Sequence, residues 1–206
     1  NFIQDGQQFS RWDTDFTRET TSQAHNANAI IDFELSENSN LNFSVNANFS
    51  PNREFDNDVT TEMRNASGAL DSTLVTDSGV FTDQNNVALN LDYTTSFDNG
   101  GDLSLKAHYT RFDQDREQTV FSQYFNPQGQ RLDALEFETD ASQVVDIYTA
   151  QADYSTTIGE SAFESGLKYS AIESESGIEY MNERRLESLY DELGDVFLYD
   201  ENIYAA

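Results

Sequence analysis

Carboxylates dominate the residues of this chain that could do chemistry. The 206 residues contain 38 Asp and Glu, only two His and no Cys. Neither His25 nor His108 has a His, Cys or carboxylate at the spacing of a metal-ligand set. Among so many acids no pair stands out as a general acid and base, and no nucleophile, phosphate-loop or zincin motif occurs. The sequence therefore predicts a protein that is not an enzyme and has no cofactor.

The acids concentrate in three polar segments, at 54–83, 113–140 and 173–195. One interpretation is a solvated, self-repelling surface. The other is divalent-cation binding, with Ca²⁺ as the cation, either within the segments or in bridges to anionic lipopolysaccharide. The stretch FDNDVTTE (55–62) has suitable ligand types but lacks EF-hand spacing and its glycine. A net charge of −27 excludes nucleic acid as a partner, since phosphates are met with Lys and Arg.

Strictly alternating segments lie between the acidic ones. Residues 41–49 read LNFSVNANF, which places five apolar side chains on one face and four small polar ones on the other. The same period of two recurs in five further segments, and each is close to the roughly 9–11 residues that cross a bilayer as a tilted strand. Two weaker strands are expected at 8–18 and 196–206. The five further segments are 26–35, 87–97, 103–109, 148–158 and 163–171.

The connections between these strands alternate in length. Turn-like segments occur at 36–40, 98–101 and 159–162, and long polar segments at 51–85, 113–142 and 173–195. Short turns at one end and long loops at the other are typical of outer-membrane barrels, whereas a soluble sandwich shares loop length more evenly. No apolar run reaches 18 residues, so no transmembrane helix is expected. A short helix is predicted in the third long loop, at 182–193.

The two faces of the strands indicate two environments. The polar face is rich in Asn, Ser and Thr, which suit a wet lumen, and the apolar face suits lipid. Aromatic residues fall near the strand ends, where a membrane-interface girdle would lie. The fold class predicted is all-β: an antiparallel up-and-down transmembrane barrel with long acidic extracellular loops. The candidate pore-lining residues are Asp92, Lys106, His108, Asp153 and Lys168.

The order and character of the segments resemble the barrel part of TonB-dependent-receptor-like proteins, of the outer membrane protein beta-barrel family abundant in Bacteroidota. The resemblance is carried by NLNFSVNANFSPN, NNVALNLDYTTSFDNGGDLSLKAHYTRF, DIYTAQADYSTTIGESAFESGLKYSAIES and FLYDENIYAA. It implies a barrel of about 22 strands with an N-terminal plug. Residues 1–206 are then expected to be a single segment of about eight strands, with the plug and the remaining strands outside it.

The function expected from this resemblance is TonB-dependent uptake of a ligand across the outer membrane of a Gram-negative cell. The partners expected are outer-membrane lipid and lipopolysaccharide, with a surface lipoprotein and TonB as further candidates. Two alternatives stay open. One is a complete eight-stranded barrel of the adhesion or membrane-integrity type, and the other is a soluble, acidic all-β surface module.

Overall fold

The computed structural model of the chain describes residues 2–4, 7–98, 100–181 and 193–206. These residues form one antiparallel sheet of nine strands. The strands, numbered in chain order, are β1 (Phe2–Gln4), β2 (Gln7–Thr21), β3 (His25–Ser36), β4 (Ser39–Asn65), β5 (Leu70–Ser96), β6 (Asp102–Phe125), β7 (Arg131–Ile158), β8 (Ser161–Met181) and β9 (Leu193–Ala205).

The nine strands occupy eight positions, because β2 and β3 share one neighbour. β2 pairs with residues 54–65 of β4, and β3 pairs with residues 39–49 of the same strand. The order across the sheet is β1-β2-β4-β5-β6-β7-β8-β9, so strands that follow one another in sequence lie side by side. Within the described residues, β9 does not pair with β1, β2 or β3, and the sheet is open. All eight predicted strands are confirmed.

The prediction of long loops is wrong, because most of the residues in those segments form strands. The segment 51–85 is occupied by the second half of β4, a four-residue turn and the first half of β5. The segment 113–142 is likewise β6, a short turn and β7, and β8 continues to Met181. A 27-residue strand is about 90 Å long at 3.3 Å per residue, far more than a bilayer requires. The helix predicted at 182–193 falls mostly on residues outside those described.

Tight turns at the far ends connect β4 to β5 and β6 to β7, so each pair forms one long hairpin. In the β4–β5 hairpin, Asn65 N–H donates to Ala69 O (3.0 Å) and Gly68 N–H to Asn65 O (2.9 Å). The β6–β7 hairpin repeats both bonds at Asn126, Gln130 and Gly129. Gly68 and Gly129 have φ of 82° and 76°, a left-handed conformation that only glycine adopts without cost. Each turn is therefore a short type I turn with a glycine bulge, a common hairpin connection.

A β-bulge divides β4 into two halves. Ser50 pairs with Gln84 and Arg53 with Thr82, so Pro51 and Asn52 together face one residue of β5. Pro51 has no N–H for the ladder, and Asn52 has φ of 55°, which Asn tolerates better than most residues. Asn52 N–H donates to Asp83 Oδ1 (2.7 Å), which gives the displaced amide a partner. On the opposite edge of β4, the break between β2 and β3 lies beside the same residues, since β3 pairs as far as Phe49 and β2 begins to pair at Glu54.

No helix among the described residues is long and apolar enough to cross a membrane.

Candidate functional site

One face of the sheet carries a continuous apolar band between the level of the bulge and the short turns. The short-turn end is called the lower end of the sheet, and the end with the long hairpins the upper end. Directly paired residues share a face, so the register fixes which side chains lie together. Every apolar residue predicted for β3 to β8 that has a partner in the register falls on this face. Large side chains of the band are exposed, including Phe33 (49%) and Leu167 (65%). One complete register row is Ile31, Phe43, Leu91, Ala107, Ala150, Tyr169 and Tyr204.

The upper edge of this band runs obliquely across the strands. On β4 the band ends at Phe49, and on β9 its uppermost aromatic is Tyr204, which is level with Phe43 in the register. The edge therefore descends six residues over five strand spacings. At about 3.3 Å per residue and about 4.8 Å per strand this slope corresponds to about 40°. If the band's edge is level with a membrane surface, the strands are tilted within the range of transmembrane barrels.

Polar and aromatic groups mark the upper rim of the band at β6 and β7. The Tyr109 and Tyr148 rings stack with centroids 5.0 Å apart. Tyr109 O–H donates to Asp146 Oδ1 (2.7 Å), and Arg111 Nη1 donates to Asp146 Oδ2 (2.9 Å). Tyrosines whose hydroxyls reach charged groups just above an apolar band have the arrangement of an interfacial girdle.

A second aromatic rim lies at the short-turn end of the band. Phe97 and Phe163 are both 46% exposed there. Tyr154 lies against the backbone of Gly101, where an added Cβ would be 2.6 Å from the tyrosine hydroxyl. Gly101 therefore leaves the space that the tyrosine ring occupies, so the side chain can cover the turn. The predicted aromatic girdle is confirmed in position at both ends of the band.

The opposite face of the same segments is polar and holds all five candidate pore-lining residues. Asp92 pairs directly with Lys106, and Lys106 is joined through Gln151 to Lys168 in one register row. On the same face, His108 lies two residues above Lys106 on β6, and Asp153 lies two residues below Gln151 on β7. The structure thus brings the five residues to one face within three rows. Their contact with a solute stays a prediction.

Neutral polar side chains form a hydrogen-bonded network around the histidine. His108 Nδ1 is 2.6 Å from Asn90 Oδ1, and its Nε2 is 2.7 Å from Thr110 Oγ1. Asn90 Nδ2 in turn donates to Ser44 Oγ (3.1 Å). His108 is therefore held between two polar neighbours on the strand ladder, and neither neighbour is a carboxylate that would form a catalytic pair with it.

A groove on the polar face lies near the short turns. Its volume is about 600 Å³, and its lining includes Asn40, Thr94, Ser104 and Asp153. Gly166 makes room for the Asp153 carboxylate, because a Cβ there would be 2.6 Å from Asp153 Oδ1. Gln151 Nε2 donates to Asp153 Oδ2 (2.7 Å). The groove is lined mainly by small polar groups, in line with a water-filled lumen.

Comparison with known protein families separates the membrane-barrel alternatives from the soluble module. Residues 95–206, which are more than half of the chain and span β6 to β9, match the outer membrane protein beta-barrel family. The chain belongs to the outer membrane protein beta-barrel family. A search of curated proteins found no match.

Membership of the outer membrane protein beta-barrel family assigns the two faces. In a transmembrane barrel the apolar face contacts lipid and the polar face lines the interior. The protein is therefore located in the outer membrane, and the soluble surface module is excluded. The apolar band is the lipid face, and the face that holds His108 is the lumen face.

Polarity inverts above the band, outside the lipid. There the residues continuous with the lipid face are mainly acidic. The lumen face of the same hairpins mixes apolar and aromatic side chains with neutral polar ones, and Met63 and Val80 are buried there. The acids on the outer face are Asp13, Asp15, Glu19, Glu54, Asp56, Asp58, Glu62, Asp77, Asp83, Asp113, Asp115, Glu117, Glu136, Glu138, Asp140, Glu173, Glu175 and Glu179.

Cation binding by these acids gains no support from their arrangement. Among residues 2–4, 7–98, 100–181 and 193–206, no group of three or more His, Asp or Glu is placed to hold a metal ion. Glu117, Asp140 and Glu179 lie directly opposite one another on neighbouring strands, an arrangement of like charges that is destabilising. Ca²⁺ binding therefore stays a hypothesis without a site in the described residues.

Three arginines on the lumen face were missed by the sequence analysis. Arg18, Arg53 and Arg116 lie above the bulge, on strand extensions that were expected to be loop. Only the register places them together, because the bulge shifts the alternation of β4 by one residue. The PN dipeptide at 51–52 is the sequence signal that could have revealed the shift.

Proposed function

We propose that the chain is part of a transport or receptor barrel that takes up a ligand across the outer membrane, energised by TonB. The role is binding and translocation, with no enzymatic step by these residues. Outer-membrane lipid and lipopolysaccharide surround the lipid face, and a surface lipoprotein and TonB are the proposed protein partners. Residues 1–206 contribute one segment of the barrel wall.

The observation that carries the proposal is the state of the lumen face. In a closed eight-stranded barrel the interior is just wide enough for side chains to fill it. Here eight strand positions form an open sheet, and no large side chain among the described residues is fully buried. A broad polar face with opposed charges such as Asp92 and Lys106 suits a wall of a wider, solvated barrel.

A complete small barrel is the second candidate, and the number of strand positions favours it. The sheet has eight positions, which is the smallest strand number of bacterial outer-membrane barrels. Such a barrel would require β9 to close against the edge that begins at β1, because closure onto β2 and β3 would leave only seven positions. Its role would be adhesion or membrane integrity rather than uptake.

Two measurements on the native protein test the proposal. The polypeptide is isolated from outer membranes, and its mass is compared with the 23.3 kDa of this chain. A mass several times larger is expected, and a folded native species of about this mass would leave only the small barrel. Growth or uptake of radiolabelled nutrients is then compared in cells with and without TonB, in the presence and absence of the barrel. Loss of uptake on removal of either protein is expected, and TonB-independent uptake would contradict the proposal.

A further inference from the structure

The lumen face above the membrane carries a group of cations in an otherwise acidic protein. Arg53 pairs with Thr82, and Thr82 pairs with Arg116 on the next strand, which places the two arginine Cα atoms about 10 Å apart. Arg18 lies on β2 opposite Asn57, two residues above Phe55 on β4. We call Arg18, Arg53 and Arg116 the arginine trio.

Two members of the trio share an aromatic ring. The guanidinium carbons of Arg18 and Arg53 are 5.5 Å and 4.8 Å from the centroid of Phe55. Arg18 is also 5.4 Å from the centroid of Phe16. Cation–π contact orients a guanidinium without neutralising it. Phe55 therefore holds two positive groups near one another while their charge stays available.

The trio has no acidic partner in the part of the chain that the structure describes. The four ion pairs found there involve Arg11, Arg64 and Arg111, all on the outer face. Arg18 Nε donates instead to Asn57 Oδ1 (2.6 Å), and Arg116 Nη2 to Gln118 Oε1 (3.3 Å). In a chain with 38 acids and 11 bases, three clustered arginines without carboxylates indicate a site kept free of internal anions.

We propose that the arginine trio is an oxyanion-binding subsite that receives the carboxylate or phosphate of a solute entering the barrel. This inference rests on the proposed uptake function, and it names the class of solute. Guanidinium groups pair with planar carboxylates and with phosphates through parallel N–H donors. The rings of Phe16 and Phe55 provide an apolar surface beside the charges, so a solute with an aromatic or apolar body and one oxyanion fits best.

Single thiols measure the charge at the subsite directly, because the 206 residues contain no cysteine. Thr82→Cys places a thiol on the lumen face between Arg53 and Arg116. Ser142→Cys is the matched control in the adjoining register row, on the acidic outer face opposite Asp115. In the purified full-length barrel, each thiol reacts with an anionic methanethiosulfonate (ethylsulfonate) and a cationic one (ethyltrimethylammonium). The ratio of the two rates is expected to be higher at position 82 than at position 142.

Charge removal links that ratio to the trio. Arg53→Gln with Arg116→Gln should lower the anion-to-cation ratio at position 82 on the order of fivefold, for two charges about 7 Å away in screened water. Arg11→Gln with Arg64→Gln removes the same charge from the outer face and should leave the ratio unchanged. Arg53→Lys with Arg116→Lys preserves the ratio, which separates charge from a packing effect. An unchanged ratio in the glutamine pair overturns the proposal.

Binding is then tested with phenyl phosphate and benzoate as probes and phenol as the uncharged control. Either anion should slow the reaction at position 82 and have no effect after the two Arg→Gln changes, whereas phenol should not protect. Equal protection by phenol, or none by either anion, would refute an oxyanion subsite. The readout needs neither TonB nor transport. Failure of TonB-dependent uptake with protection intact would therefore remove the proposed function and leave the subsite.

Discussion

Arginine placed at the middle of the apolar band gives the sharpest test of the membrane assignment. From Phe97, directly after β5, to Val87 the band covers ten residue steps. This is about 33 Å along the strand and about 25 Å along the membrane normal at a 40° tilt. Leu91 lies near its centre and is 43% exposed. Leu91→Arg should therefore destabilise the folded barrel by about 2–4 kcal/mol, a change of about 30- to 1000-fold in the unfolding equilibrium constant.

Two arginine controls on the same strand separate depth from the substitution itself. Val87→Arg lies at the upper edge of the band, where the cost should fall to about 0–1 kcal/mol. Thr94→Arg lies on the lumen face, opposite Asn40 and Ser104, and should cost no more than about 1 kcal/mol because the side chain remains in water.

The assay is equilibrium unfolding of the full-length polypeptide from phospholipid vesicles by guanidinium chloride, with folding followed by heat-modifiable migration. The three variants are compared at matched m-values, so that their midpoints report stability. If Leu91→Arg is no more destabilising than Thr94→Arg, the apolar face does not contact hydrocarbon, and the assignment of both faces is wrong.

Further predictions concern the rims, the turns and the charges. Tyr109→Phe should destabilise the barrel by about 1 kcal/mol through loss of the bond to Asp146, and the effect should disappear in a double-mutant cycle with Asp146→Ala. Asn65→Ala removes the acceptor of the Ser67 and Ala69 amides (3.0 and 3.2 Å) and should speed hydrogen exchange at the β4–β5 tip, with the β6–β7 tip unchanged. The bond from the Tyr199 hydroxyl to Glu201 (2.6 Å) raises the pKa of Tyr199 above 10.0. The stabilisation from this bond is present below that pH and is lost as the pH rises through the pKa of Tyr199 in the folded protein. Glu201→Gln should therefore lower the pH at which Tyr199 ionises, measured by 295 nm difference spectra against Tyr199→Phe. Raising salt from 10 to 150 mM should slow hydrogen exchange in the acidic hairpin extensions by screening Glu117, Asp140 and Glu179, and an exchange rate independent of salt would show that their repulsion is already neutralised.

The membrane-spanning part of the fold could be predicted because its signal is local. Residues 41–49 alternate apolar and small polar side chains over the length that a tilted strand needs, and this pattern depends only on the two environments of the strand. The register then confirms the same face assignment on six strands. Asp92, Lys106, His108, Asp153 and Lys168 came from the same alternation, and they do share one face.

The extracellular part could not be predicted from the same rule, because the rule changes there. Above the bulge the outward positions become acidic, and the inward positions carry apolar and neutral polar residues, as at Glu54, Phe55, Asp56 and Asn57. Without the register such a stretch looks like an acidic loop. The signal that was overlooked is turn chemistry: NASG (65–68) and NPQG (126–129) each place Asn first and a positive-φ Gly fourth. Those turns imply hairpins, and hairpins imply that the flanking acids are strand residues.

The inversion of polarity is a consequence of solvent on each side of the wall. Within the bilayer the outer solvent is hydrocarbon, so apolar side chains face out and the interior carries the polar groups. Above the bilayer the outer solvent is water and the lipopolysaccharide layer, and hydrated carboxylates become the favourable outward residues. The lumen side is then where apolar groups such as Phe55, Val80 and Met63 can be sheltered from water. On β4 the switch coincides with the bulge at Pro51 and Asn52, whereas β5 and β6 continue in unbroken register through the same level. The change of polarity therefore follows the membrane surface and not an interruption of the sheet.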